Sequence, residues 1–268
     1  MSKKILVCYL FTKFDSHKSL TNFIKFYKKY PSGISHKLLI CFKLIDKKKI
    51  LIIKKLFKNF KFIEYIDPFL LNDYDFGSYS RVSSSYPSHR ILFLNSHSYP
   101  VTKMWLKKIN THYKNKTIIG FSSSNESMFT SLKLKKFYKF FSFLRKYLKY
   151  KKNFKSFPNP HLRTSSFYIK GSDLLKFLDK KKLHNKESAW IAESGFNGLT
   201  NFFRKLNYKI YIVNSDGIKF TEDKWMFSET FNYLKQSKNL ISDKHTRKYL
   251  SLSNKQKSIF QKNTWGEE

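Results

Sequence analysis

The stretch ILVCYLFTKFDSHKSLTNFIKFYKKYPSGISHKLLICFK, residues 5–43, begins and ends on apolar runs, ILVCYLF and LLICFK, each of strand length. Runs that are apolar throughout, rather than alternating, suit parallel strands covered on both faces. Between them, Leu20, Phe23, Ile24 and Tyr27 fall at helical spacing, and Pro31 and Gly33 end the helix. Strand, helix, strand is the unit of a wound α/β sheet with right-handed crossovers.

Outward from this unit the pattern repeats. An amphipathic stretch over 48–59 leads to FKFIEYID (60–67), and a polar loop and helix lead to RILFLN (90–95). A helix over 101–113, a short strand TIIG (117–120) and a Ser-rich loop FSSSNES follow. LRTSSFYI (162–169) reads as a strand, 185–206 as one helix and YKIYIVN (208–214) as the last strand. The expected fold is α/β, a doubly wound, mostly parallel sheet flanked by helices over 1–216. Residues 217–268, where periodicity fades, are expected as an appendage packing on or near the site. The stretch 131–155 puts Phe137, Phe140, Phe141, Leu144 and Leu148 on one side of a lysine-rich helix. It reads as a core-facing helix with a solvated basic face, or as a helix lying on an anionic membrane surface.

A chain of 268 residues suits one core with a short extension. Its 53 Lys and Arg against 18 Asp and Glu give a formal charge of +35, which raises nucleic acid or anionic lipid as partners. Only six of the basic residues are Arg, the type that reads bases and clamps phosphates, and the lysines are spread over the whole chain. An excess shared by Lys, Asn, Ile, Phe and Tyr follows A/T-heavy codons, so nucleic acid is disfavoured as the dedicated partner. Anionic ligands such as a nucleotide diphosphate, and peripheral contact with acidic lipid, remain favoured. Cys8 and Cys41 lie inside strand-like runs, without disulfide or zinc spacing. The apolar run of MSKKILVCYLF is short for a signal segment, and no membrane-spanning run is present. A cytoplasmic protein, peripheral at the inner face of the membrane, is expected.

In open α/β sheets ligands bind beyond the carboxyl ends of the strands, and four clusters fall there. NDYDFGSYSR (72–81) offers Asp73 and Asp75 as acceptors for sugar hydroxyls and Gly77 for close backbone approach. Its Ser78 is a candidate helix cap beside a phosphate site, with Tyr79 and Arg81 as further substrate contacts. ILFLNSHSYP (91–100) ends a strand on Asn95, Ser96 and His97; Asn95 and His97 share a face and could reach one cation or pyrophosphate. In PNPHLRTSSF (158–167), His161 and Arg163 project on one side, an imidazole for a hydroxyl and a guanidinium for phosphate. In ESGFNGLTNFFRKLNYKIYIVN (193–214), Glu193 is read as opening a helix at the mouth of the sheet, where it could be a general base or simply a favoured first-turn carboxylate.

In this order the clusters resemble a GT-A type glycosyltransferase using a nucleotide-sugar donor. DYDFGSYSR, ILFLNSHSYP, HLRTSSFYI and NGLTNFFRKLNYKIYIV are similar, more closely, to the rhamnan-synthesis protein F group of polysaccharide glycosyltransferases. The resemblance covers roughly residues 4–215 through short motifs. It implies Asp75 and Gly77 at the donor site, His161 on the acceptor-proximal strand and Glu193 as the base. Asn95 to His97 take the position of a DXD motif, which holds Mg²⁺ or Mn²⁺ against the leaving diphosphate. This chain departs from the pattern there, because no carboxylate remains. The first expectation is a transferase that moves a sugar to a surface polysaccharide or lipid-linked glycan. A degenerate module that binds nucleotide-sugar or glycan without transfer is second, and a nucleic-acid-binding protein third.

Overall fold

In the computed structural model, which describes residues 4–57, 60–133, 140–179, 181 and 183–266, β1 (Ile5–Thr12) is buried through its first seven residues. Ser16 caps α1 (His17–Lys29) by accepting from the Ser19 amide, and the helix buries Leu20, Phe23 and Ile24 as its spacing requires. Then come β2 (Lys37–Lys43), α2 (Lys47–Leu56), β3 (Ile63–Ile66), α3 (Tyr74–Ser85), β4 (Arg90–Leu94), β5 (Tyr99–Pro100), α4 (Trp105–His112) and β6 (Thr117–Gly120). They are followed by β7 (Ser123–Ser124), α5 (Met128–Lys133), α6 (Phe140–Asn153), β8 (His161–Leu162), β9 (Ser166–Lys170), α7 (Gly171–Leu178), α8 (Lys186–Ser194), α9 (Leu199–Lys205) and β10 (Lys209–Val213). β11 (Lys219–Phe220), β12 (Ile241–Ser242), α10 (Lys244–Leu250) and α11 (Asn254–Trp265) come last.

Eight strands form one sheet in the order β11-β10-β6-β9-β4-β1-β2-β3. β3, β2, β1 and β4 are mutually parallel, as are β6 and β10, whereas β9 is antiparallel to both of its neighbours and β11 to β10. Alternate β1 residues feed two apolar layers. Val7, Tyr9 and Phe11 pack with α1, α2 and α4 on one face. Leu6, Cys8 and Leu10 pack with α3, α7 and α9 on the other. The sheet is therefore mostly parallel and flanked by helices on both faces, as expected. Cys8 and Cys41 are buried, unbridged thiols of the second layer. Because β9 is reversed, its first residues share an edge with the last residues of β4: Ser166 pairs with Leu94. Loops on either side of β9 can therefore contribute to one site.

Some boundaries differ from the sequence reading. The single helix expected over 185–206 is two, because Gly195 closes α8 and Gly198 opens α9. The helix expected over 131–155 is α5 and α6; Phe137 and the Phe140 side chain lie outside the described residues. Its core-facing residues are Phe143, Tyr147, Tyr150 and Phe154 rather than the anticipated row, since Phe141, Leu144 and Leu148 are exposed. From 217 on, β11 extends the main sheet, Trp225 joins its core and β12 pairs with β5. Among the described residues no helix is long and apolar enough to cross a membrane.

Candidate active site

The carboxyl edge of the sheet opens into a cavity of about 470 Å³, lined among others by Asp75, Asn95, His161, Arg163 and Glu193. That volume lies within the range of small-molecule sites. Five of the residues singled out by strand-end position thus share one hollow, although they come from four separate stretches of chain.

Asp75 lies in the first turn of α3, with no hydrogen-bond or ion-pair partner for its carboxylate among the described residues. Burial, with the neighbouring charges of Asp15 and Glu193, pushes its pKa up to about 6 against the pull of Lys43. A carboxylate left unpaired in a cavity is a costly arrangement to keep for structure alone. Beside it Tyr74, also on the cavity wall, adopts a left-handed backbone at φ 58°, while its carbonyl accepts from Lys43 Nζ at 3.2 Å.

Glu193 sits in the last turn of α8, not at a helix start. There the helix dipole opposes a negative charge, and no basic residue stands in that turn. The carboxylate is held instead from β9's approach: Thr164 donates its N–H at 2.8 Å and its hydroxyl at 2.9 Å, both to Oε1. Oε2 has no hydrogen bond among the described residues, so one carboxylate oxygen is oriented and the other remains available to the cavity.

His161 is buried at the end of a short β7–β8 pairing. Its Nδ1 donates to the Asn159 carbonyl at 2.7 Å, which leaves Nε2 of the neutral ring as an acceptor. Arg163 stacks 3.8 Å over the Phe231 ring, and its Nη1 donates to Asp243 at 2.7 Å and to Ser122 at 3.1 Å. Burial works to raise the Asp243 carboxyl, but Arg163, the Ser165 hydroxyl and the Thr246 amide outweigh it and hold the acid well below the usual range. Arg163 is thereby neutralised on one side by a carboxylate from the segment beyond 217.

The remainder of the 72–81 cluster is used differently. Asp73 and Asp67 form a partly buried network with Lys43 and Arg81, in which Arg81 bonds Asp67 at 2.6 and 2.7 Å and Asp73 at 2.6 Å. Ser78 donates to Asp67 at 2.5 Å from within α3, so it caps nothing. A Cβ at Gly77 would collide with the Asp73 carboxylate, and Tyr79 is fully buried in the aromatic core. Asp73, Gly77, Ser78, Tyr79 and Arg81, expected to contact substrate, thus have their side chains or their space committed to anchoring α3. Burial would raise Asp67, yet Arg81, Ser78 and the Phe69 amide hold it low.

The Asn95–His97 turn does not offer a cation site. Asn95 Oδ1 already accepts from the His97 amide at 3.1 Å and the Ser98 hydroxyl at 2.8 Å. Ser96 donates to Asp15 at 2.6 Å, and His97 lies outside the cavity with its Nε2 3.9 Å from Asp15. Among the described residues no group of three or more His, Cys, Asp or Glu side chains could hold a metal. The residues present do not fit the Mg²⁺ or Mn²⁺ that the resemblance implied.

The sequence reading missed several lining residues. Lys186, Ala189, Trp190 and Glu193 fall at i, i+3, i+4 and i+7 of α8, a helical face that the spacing could have revealed. Glu126 comes from the Ser-rich loop, already marked as irregular. Phe231 and His245 arrive from beyond 217 and carry no local signal. Burial and the nearby Arg163 charge keep His245 below its ordinary pKa, which favours the neutral ring. Asp15, after β1, is the unanticipated carboxylate beside Ser96.

No family model matches this sequence, and no curated protein matches it. Among solved structures, glycosyltransferase GlyE of Streptococcus pneumoniae TIGR4 is similar at a TM-score of 0.46 and 10% identity, over 97% of this chain and 62% of that one. A 4-diphosphocytidyl-2C-methyl-D-erythritol synthase from Anaerococcus prevotii DSM 20548 gives 0.44 and 12%, over 84% and 94%. Galactosyltransferase LgtC, in complex with donor and acceptor sugar analogs, gives 0.43 and 8%, over 79% and 74%. At identities and TM-scores this low, the likeness assigns no activity.

Proposed function

We propose that this chain is a GT-A-like glycosyltransferase, allied to the rhamnan-synthesis protein F group, that moves a sugar from a nucleotide-diphosphate donor to a polysaccharide or lipid-linked glycan. The observation that carries the reading is the juxtaposition, in one cavity, of Glu193 and Asp75, with Glu193 Oε2 and the Asp75 carboxylate unbonded among the described residues, and the cations Arg163 and Lys186. Transfer breaks the bond between the anomeric carbon and the diphosphate and forms one to an acceptor oxygen. Glu193 is suited to take the acceptor's proton, since Thr164 fixes its orientation. Arg163 and Lys186 are suited to meet the charge on the departing diphosphate. Asp75 and His161 Nε2 supply acceptors for sugar or ribose hydroxyls. No step is routed through a metal, because the donor set does not fit one.

A second reading, a module that binds nucleotide-sugar or glycan without transfer, is favoured by the lack of a metal-binding cluster among the described residues. The test is a thermal-shift screen against UDP-, GDP-, dTDP- and CMP-sugars, followed by donor turnover with and without Mn²⁺. Glu193→Gln should retain the donor-induced shift while turnover falls by about 10²–10⁴-fold. Donor binding with no turnover in the unaltered protein supports the binding module, and no shift with any donor rejects both readings.

A further inference from the structure

α6 carries two apolar rows, and one of them packs inside the protein. Phe143, Tyr147, Tyr150 and Phe154 pack against α5 and α8. Leu144 and Leu148, four residues apart, form the second row about a third of a turn away, and are 42% and 59% exposed. The helix contains no acidic residue, and Arg145, Lys151 and Lys152, all exposed, flank or continue the leucine row. Among the described residues these three have no carboxylate partner, whereas Lys149, further round the helix, pairs with Glu187 at 2.7 Å. An exposed leucine row bordered by cations on a helix is the complement of an anionic lipid surface: apolar side chains enter the acyl boundary while lysines meet the headgroups.

We propose that this face of α6 docks the protein on an anionic bilayer. The placement gives docking a use. Tyr150 and Phe154 pack with Trp190, which lines the cavity, and the Asn153 carbonyl accepts from the Phe196 amide at 2.8 Å just after Glu193. A membrane under α6 therefore lies next to the cavity wall formed by α8. The proposal stands whether or not the cavity transfers sugar.

The test is flotation of the full chain with vesicles of phosphatidylcholine containing phosphatidylglycerol, against phosphatidylcholine alone. Binding is expected only with the anionic vesicles, and should weaken with salt. Leu144→Ser with Leu148→Ser should lower partition by about ten-fold. Arg145→Glu with Lys152→Glu should lower it by at least about five-fold for each charge removed. Because all four side chains are exposed, the melting temperature and donor-induced thermal shift should not change. Equal partition of the leucine variant and the unaltered protein would overturn the proposal by assigning binding to the diffuse lysine charge. Self-association that depends on the leucines, without vesicle binding, would overturn it in favour of a second copy of this chain.

Discussion

Asp75 and Glu193 were both legible in the sequence, for a simple reason: each lies near the carboxyl edge of a recognisable sheet, and α/β sheets bind there. Their neighbours Asp73, Ser78 and Arg81 satisfy the same rule and yet serve the fold. What separates them is Lys43 and Asp67, remote in sequence, whose buried charges need partners that only the folded chain brings close. Among the described residues Asp75 has no such partner, which has a measurable consequence. Its ionisation costs nothing below about pH 4, costs progressively more up to its raised pKa of about 6, and carries the full penalty above that. Asp75→Asn should therefore stabilise the protein by about 1–2 kcal/mol at pH 8, after allowance for cavity solvent, and by almost nothing at pH 4. Denaturant unfolding at the two pH values checks this, and equal effects at both would count against a functional carboxylate kept at the expense of stability. The donor concentration for half-maximal thermal shift should rise in the same variant.

Element boundaries were harder to read where glycine or side-chain hydrogen bonds replace periodicity. The run 185–206 has continuous helical spacing, but Gly195 and Gly198 divide it, so Glu193 ends one helix instead of beginning another. Beyond 217 the chain is organised by side chains binding backbone: Asp243 caps α10 through Thr246 and Gln236 Nε2 donates to the Thr246 carbonyl at 2.9 Å. Glu229, Asn232, Leu234 and Gln236 all have positive φ, a run invisible to helix and strand patterns. Asp243 both caps α10 and neutralises Arg163. Asp243→Asn keeps a capping residue but strands the guanidinium, and should cost about 3 kcal/mol at pH 7 by denaturant unfolding. Since the acid is depressed in the folded state, its contribution is whole above about pH 4 and fades as pH falls further. The difference between variant and parent should shrink accordingly below pH 4; a constant difference would mean that the cap, not the ion pair, was lost.

At the scale of the whole molecule, the wound sheet was legible from residues 5–43 outward because strands buried on both faces announce themselves as unbroken apolar runs. The reversed β9 was not, since antiparallel insertion leaves no mark on a short central strand. Nor was the role of the segment from 217 on. It contributes Phe231 and His245 to the cavity, Asp243 to Arg163, and Thr264, which donates to Glu126 at 2.9 Å. It also buries Trp225, Leu240 and Ile241 against the main core. A chain cut after residue 216 should be recovered mainly as aggregate, and any soluble fraction should show no donor-induced thermal shift. Soluble, ligand-responsive material would show that the segment is dispensable. The pairing of Arg163 with Asp243 also bears on biosynthesis. The two groups stand 80 residues apart in the chain, so during translation the guanidinium waits, unneutralised, until α10 has emerged and docked. A ribosome-bound intermediate with the sheet already wound would carry an open-sided hollow, and the finished cavity would be acquired late and all at once.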